Sequence, residues 1–247
     1  MSEIRVFPVG TLGRDFISGP FVPQGQDEYY LRNTQVSRPA GGWRHLRADE
    51  IETLVKNANT ADNWDNLLVS GDFTPHNIKN CEFYGLVRIG RLEPMFLEYH
   101  DMRVPVGLTS SRLISCDVGD DAAIHNVRYL AHYIIGAGVM LLNVAEMSTT
   151  NHAKFGNGIL KEGEPEDVRI WLDLVNETGG RRVMPFDGMI AADAYLWAKH
   201  RDDPRLLERL GEITQHCCDS RRGFYGTVGD NAVVKNCQII TDARIGP

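Results

Sequence analysis

The stretch VGDDAAIHNVRYLAHYIIGAGVMLLNVAEM, residues 118–147, decides how the rest of the chain is read. Its aliphatic residues Val118, Ile124, Leu130, Ile135, Leu141 and Met147 are separated by six, six, five, six and six positions. Neither the alternation of a plain strand nor the turn of a helix gives that spacing. It matches a hexapeptide β-helix, in which each aliphatic side chain points into a shared prism and the residues between turn a corner. Upstream, Ile78, Phe83, Ile89 and Met95, then Leu108 and Leu113, repeat the pattern more loosely. Downstream, Val228, Val234, Ile240 and Ile245 resume it. Cys81, Cys116 and Cys237 each fall three residues after an inward aliphatic and are expected as small core residues. Gly90, Gly119, Gly136, Gly229 and Gly246 each follow an inward residue, where a corner with positive φ would call for glycine.

The expected organisation is a loop-rich N-terminal region with a short helix (1–77), β-helix coils (78–160), a helical insertion (161–226) and a resumed coil (227–247). The short helix is expected at 48–57, with acidic residues in its first turn. Within the insertion, helices are expected over 164–177, 187–200 and 203–220, the last with Asp203 as N-cap and Pro204 at its first position. The final repeat stops at Pro247 without a visible capping element, so a longer protein, or a second chain over the end, is expected.

Among the 247 residues, Asp and Glu outnumber Lys and Arg by 33 to 26, a net charge of −7. No basic surplus exists to displace counterions from a nucleic acid or to bind an anionic membrane. No long apolar run and no signal-like N-terminus is present, so a soluble, cytoplasmic protein is expected. The five cysteines form no CxxC pair, which argues against a disulfide framework or a zinc knuckle.

The pattern resembles the β-helix of hexapeptide-repeat acyltransferases and sugar-nucleotide-processing enzymes. That resemblance implies a left-handed winding, trimers with sites between subunits, and a fold class of mainly β with an inserted helical subdomain. HNVRYLAHYIIGAGV (125–139) followed by NHAKFG (151–156) is similar to the acetyltransferase half of N-acetylglucosamine-1-phosphate uridyltransferases. His125 stands four residues before Tyr129, where that family has three, and the Asp-Gly that follows its Asn-Tyr is missing. The whole chain resembles a long, functionally uncharacterised bacterial β-helix family, through NWDNLLVS, FYGLVRIGRLEP, TTNHAKFGNGI, GGRRVMPFDGM and ADAYLWAKHRDD.

The expected function is a hexapeptide-type transferase acting on a sugar or nucleotide-sugar, with acetyl-CoA or another acyl-CoA as co-substrate and no tightly bound cofactor. His125 or His152 would be the general base, since an imidazole titrates in the range this work needs. Tyr129, His132, Asn151, Lys154, Arg181 and Arg182 would bind substrate, the arginine pair beside Gly179 and Gly180 suiting a phosphate or carboxylate. Each of these residues also has a plainer reading as a solvated polar group on a sheet face or helix end. The spacing of His125, His132 and His152 does not reproduce a zinc triad, so no metal is expected. The alternative is a non-catalytic scaffold or assembly module, because fold does not dictate chemistry.

Overall fold

The computed structural model describes residues 4–8, 10–36, 42–155, 161, 163–165, 168–174 and 179–247. The chain divides into two compact units, the first made of Met1–Thr150 with Tyr225–Pro247 and the second of Asn151–Phe224.

In the first unit the strands lie in three parallel sheets. One sheet holds seven strands: β1 (Arg44–His45), β3 (Leu67–Val69), β6 (Val87–Ile89), β11 (Asp117–Val118), β14 (Tyr133–Ile135), β19 (Gly226–Val228) and β22 (Arg244–Ile245). A second holds β2 (Thr60–Ala61), β5 (Glu82–Tyr84), β10 (Arg112–Ile114), β13 (Leu130–Ala131), β16 (Glu146–Ser148) and β21 (Ile239–Thr241). The third holds β4 (Ile78–Lys79), β9 (Gly107–Thr109), β12 (Ala123–Val127), β15 (Met140–Val144) and β20 (Val233–Lys235). Only β1 is antiparallel to its neighbour in these sheets. A hairpin of β7 (Phe96–Tyr99) and β8 (Met102–Pro105) interrupts the sequence between β6 and β9.

The fold class expected from sequence is corrected by this pairing. Among the described residues, in place of a mainly β, left-handed hexapeptide β-helix stand several separate parallel sheets of seven, six and five strands, with four α-helices and two antiparallel two-stranded sheets. The described chain is mixed α/β. Uniform hexapeptides on three sides would pair residues about 18 apart. The regular pairs here, such as Val118 with Ile135 and Ile124 with Leu141, are 17 apart. Earlier pairs, Ile78 with Leu108 and Val69 with Ile89, are 30 and 20 apart because loops and the hairpin intervene.

The aliphatic residues at the regular spacing bury together. Val118, Ile124, Leu130, Ile135, Leu141 and Met147 share one core cluster with Ile78, Phe83, Ile89, Leu108, Leu113, Val228 and Val234. Ile240, Ile245 and Cys237 pack at its margin. Cys81 and Cys116 are fully buried, and burial pushes their thiols up to about 12 and about 11, so both stay neutral. Met95 departs from the pattern and is exposed at the base of the hairpin.

The glycine corners are corrected too. Gly90, Gly119, Gly136, Gly229 and Gly246 are not among the positive-φ residues. At Gly90, Gly119, Gly136 and Gly229 successive corners stand against one another and leave no room for a side chain, whereas a β-carbon on Gly246 would meet nothing within 4 Å. A β-carbon on Gly119 would lie 2.5 Å from the Gly136 carbonyl carbon, and one on Gly136 would lie 2.9 Å from that of Gly229. The left-handed corners are elsewhere and use Asn80, Ser110, Asn126, Asn143 and Asn236, all with φ between 49° and 57°. Asn tolerates that region, and here its amides also link successive corners. Asn126 donates to Asn143 at 2.9 Å, and Asn143 to Asn236 at 3.1 Å.

Helix α2 (Ala48–Lys56) stands before the first regular strands and buries Leu54 in the core. Asn59 follows it, donating to the Leu54 and Ile78 carbonyls and accepting from the Cys81 amide, which satisfies backbone groups at that end. A helix not foreseen in the sequence, α1 (Tyr30–Gln35), precedes them.

In the second unit, α3 (Ala191–Lys199) and α4 (Pro204–Cys217) form within the expected segments. Asp203 caps α4, accepting from the Arg205 and Leu206 amides. The expected helix over 164–177 is corrected where it is described. Leu172–Asp173 (β17) pairs antiparallel with Arg182–Val183 (β18), so a long-range strand partner overrides local helical spacing. The rest of that segment, 166–167 and 175–177, lies outside the described residues.

Among the described residues, no helix is long and apolar enough to cross a membrane.

Candidate functional site

On the outer face of the seven-stranded sheet, the residue before each inward aliphatic points away from the core. Arg88, Asp117, Ile134 and Thr227 are successive neighbours in this outward row. The N-terminal segment crosses the row and brings Arg32 of α1 onto it. Asp117 then receives two arginines at once. Arg32 donates to both carboxylate oxygens at 3.1 and 2.6 Å, and Arg88 does so at 2.5 and 2.7 Å. All three residues are buried.

Two cations and one anion leave one positive charge in excess. It is spread over acceptors and ring faces. Arg32 also donates to the Leu86 carbonyl at 2.9 Å and to the Ser115 hydroxyl at 3.3 Å, and its guanidinium lies 5.5 and 5.1 Å from the Tyr29 and Tyr225 ring centres. Arg88 donates to Asn33 and stands 5.8 Å from the Trp43 ring. Burial works against the charge on Asp117, but Arg32 and then Arg88 hold its carboxyl below the usual carboxylate range.

Beside this cluster is a cleft of about 600 Å³. Its floor is the outward row at Asp117, Ile134 and Thr227, one wall is Gln35, Val36 and Trp43, and the rim carries Asp120 and Asp230 next to the stacked glycine corners. Gln35 is fixed by a reciprocal pair with the Tyr225 backbone, donating at 2.9 Å and accepting at 2.8 Å. Asp230 accepts from the Ala137 amide at 2.8 Å through one oxygen. The arrangement offers an aromatic ring, an aliphatic floor, a hydroxyl and carboxylate acceptors to one small guest.

The residues singled out from sequence lie elsewhere. His125 sits on the outer face of the five-stranded sheet, beneath the hairpin. One ring nitrogen meets the Thr109 hydroxyl at 2.6 Å and the other the Pro105 carbonyl at 2.8 Å, so Nε2 donates and Nδ1 accepts. Burial lowers its pKa, against the pull of that carbonyl. Tyr129 is half-buried in the turn before β13, and burial, then Glu146, raises its pKa. His132 occupies a left-handed corner, φ 56°, between β13 and β14. It stacks on Phe16 at 4.1 Å and meets the Tyr225 ring edge-on at 5.5 Å. Burial, then the charge of Arg32, lowers its pKa to about 4, and its Nε2 has no hydrogen-bond partner among the described residues.

The other five belong to the second unit. His152 is exposed, Asn151 is half-buried and Lys154 is buried. Arg181 accepts at its carbonyl from the Leu174 amide, and Arg182 lies 4.4 Å over the Trp171 ring. Gly179 and Gly180 both have positive φ, which only their lack of a side chain makes easy.

Sequence reasoning passed over Arg32, Arg88 and Asp117. A signal for two of them existed: Arg88 precedes Ile89 as Asp117 precedes Val118, so opposite charges share one outward slot on adjacent strands.

Comparison with known proteins gives relatives but no described activity. An uncharacterised protein of the bacterium Treponema pallidum (strain Nichols) is 50% identical over 245 residues, covering 99% of this chain and 34% of that protein. The chain thus spans about a third of that relative's length. No solved structure matches. Residues 43–247 match the family model described as domain of unknown function DUF4954, and the chain belongs to that family.

Proposed function

We propose that this domain is a small-molecule-binding module whose cleft takes a neutral, hydroxyl-rich ligand of the sugar class. The observation that carries the reading is the cleft wall. Val36 lies four residues after Arg32, which is anchored with Arg88 on the buried Asp117 carboxylate, and such an ion cluster is a costly way to hold a surface segment unless its position matters. Trp43 and Ile134 would take the apolar face of the ring, while Thr227, Asp120 and Asp230 would accept its hydroxyl hydrogens. The carboxylates of Asp120 and Asp230 at the rim would repel a phosphate-bearing guest such as a nucleotide-sugar or acyl-CoA. Binding is placed ahead of group transfer because no histidine is among the described residues that line the cleft.

The test is a calorimetric and thermal-shift screen of neutral sugars, amino sugars, nucleotide-sugars and acetyl-CoA. A neutral sugar is expected to raise the melting temperature, with the gain lost in Trp43→Ala and reduced in Asp230→Asn. Binding of acetyl-CoA with release of free CoA would overturn the reading in favour of a transferase.

A further inference from the structure

The N-terminal residues 10–36 are held against the first unit at points that converge on one corner. Phe16 lies on the His132 ring at 4.1 Å and against Tyr225 at 5.0 Å. Arg32 reaches past Tyr225 to Ser115 and Asp117, and the Tyr225 hydroxyl is 2.9 Å from Ser115. Gln35 ends the segment on the Tyr225 backbone. His132 is therefore the floor on which Phe16 rests, and it shares the Tyr225 ring with Arg32. Its Nε2 is buried without a hydrogen-bond partner among the described residues. A neutral imidazole can tolerate that, but an imidazolium would have an unsatisfied N–H beside a guanidinium.

We propose that residues 10–36 form an acid-releasable strap, in which protonation of His132 expels Phe16 and α1 from the sheet and withdraws Gln35 and Val36 from the cleft. The groups around His132 single it out as the trigger. On the strap these are Arg32, Tyr29 and Glu28, the last accepting from the Phe16 amide at 3.1 Å. From the sheets come Ser115, Cys116, Asp117, the Thr149 backbone and Tyr225. Tyr29 and Tyr225 are raised by burial and stay neutral, as does Cys116. Asp117 is held charged by Arg32 and Arg88. With Tyr29, Tyr225, Cys116 and Asp117 fixed in charge, the imidazole, pushed down by burial and by Arg32, titrates below neutrality.

The proposal needs no ligand. Hydrogen exchange at pH about 7 and about 4.5, corrected for intrinsic exchange rates, should show residues 10–36 losing protection roughly tenfold or more while β12 and β15 keep theirs. In His132→Asn, chosen because Asn accepts the left-handed corner, the strap should exchange alike at both pH values. Loss of protection in strap and strands together would overturn the proposal. So would an unchanged pH response in His132→Asn. An NMR titration of His132 in the wild-type chain gives a check that no folding defect can confuse. A midpoint below about 5 supports the strap, and one near the ordinary value of about 6.5 overturns it.

Discussion

Two outer faces of the first unit are covered by opposite means. The hairpin β7–β8 lies on the five-stranded sheet through an apolar patch of Val104, Ala123, Met140 and Leu142, with Leu97, Met102 and Val233 at its edge. The N-terminal strap lies on the seven-stranded sheet through Arg32, Asp117 and Arg88. The apolar cover is non-directional and tolerates small shifts, since burial depends on area. The ionic cover works in one geometry, because a misplaced guanidinium would leave buried charge unpaired. The same strand array thus supports one face built for stability and another built for position.

Substitutions should separate the two. The largest effect is expected for Asp117→Ala, which strands two buried guanidinium groups and should cost about 3–5 kcal/mol in urea unfolding. Next comes acid. With the folded-state pKa of His132 below its unfolded value, the unfolded chain binds more protons between about pH 6.5 and 4, so stability falls as pH falls through that window. The loss should total roughly 3 kcal/mol and should be absent in His132→Asn. Leu142→Ala, under the hairpin, should cost about 2 kcal/mol, the low end for a Leu at the edge of a small apolar cluster. If it cost as much as Asp117→Ala, the contrast between the two faces would fail. The smallest effect is at the rim of the hairpin face. Asn143→Ala removes the amide that eases φ 54° and links Asn126 to Asn236 and should lose about 1 kcal/mol, whereas Asn143→Gly, free at that φ, should lose only a few tenths, both read from thermal unfolding.

What could be read in the sequence follows from range. The core columns repeat at short, fixed intervals, so Val118 to Met147 announce themselves, and α4 is marked locally by Asp203 and Pro204. The strap cluster is assembled from residues 29 to 85 positions apart, and no local period links Arg32 to Asp117. His132 was visible as a histidine, but its burial under Phe16 depends on a partner 116 residues earlier. The glycine positions are legible in the sequence but their cause is not, since backbone torsion is a local property and the approach of Gly119 to Gly136 is not. The segment at 164–177 had helical spacing, yet Val183 was the better partner for Leu172.

The register between β14–β16 and β19–β21 carries a consequence for engineering. Ile135 pairs with Val228, Leu141 with Val234 and Met147 with Ile240, each 93 positions on, so the ladder resumes after residues 151–224 without slipping by one place. The junction is tied from both sides, Gly226 to the Thr149 hydroxyl and Thr150 to the Asp242 carboxylate. Loop length adds little entropic cost once its ends are fixed. Thr150 and Tyr225 therefore mark a natural splice point, where a foreign domain with closely spaced termini could be grafted while the strands on either side keep count.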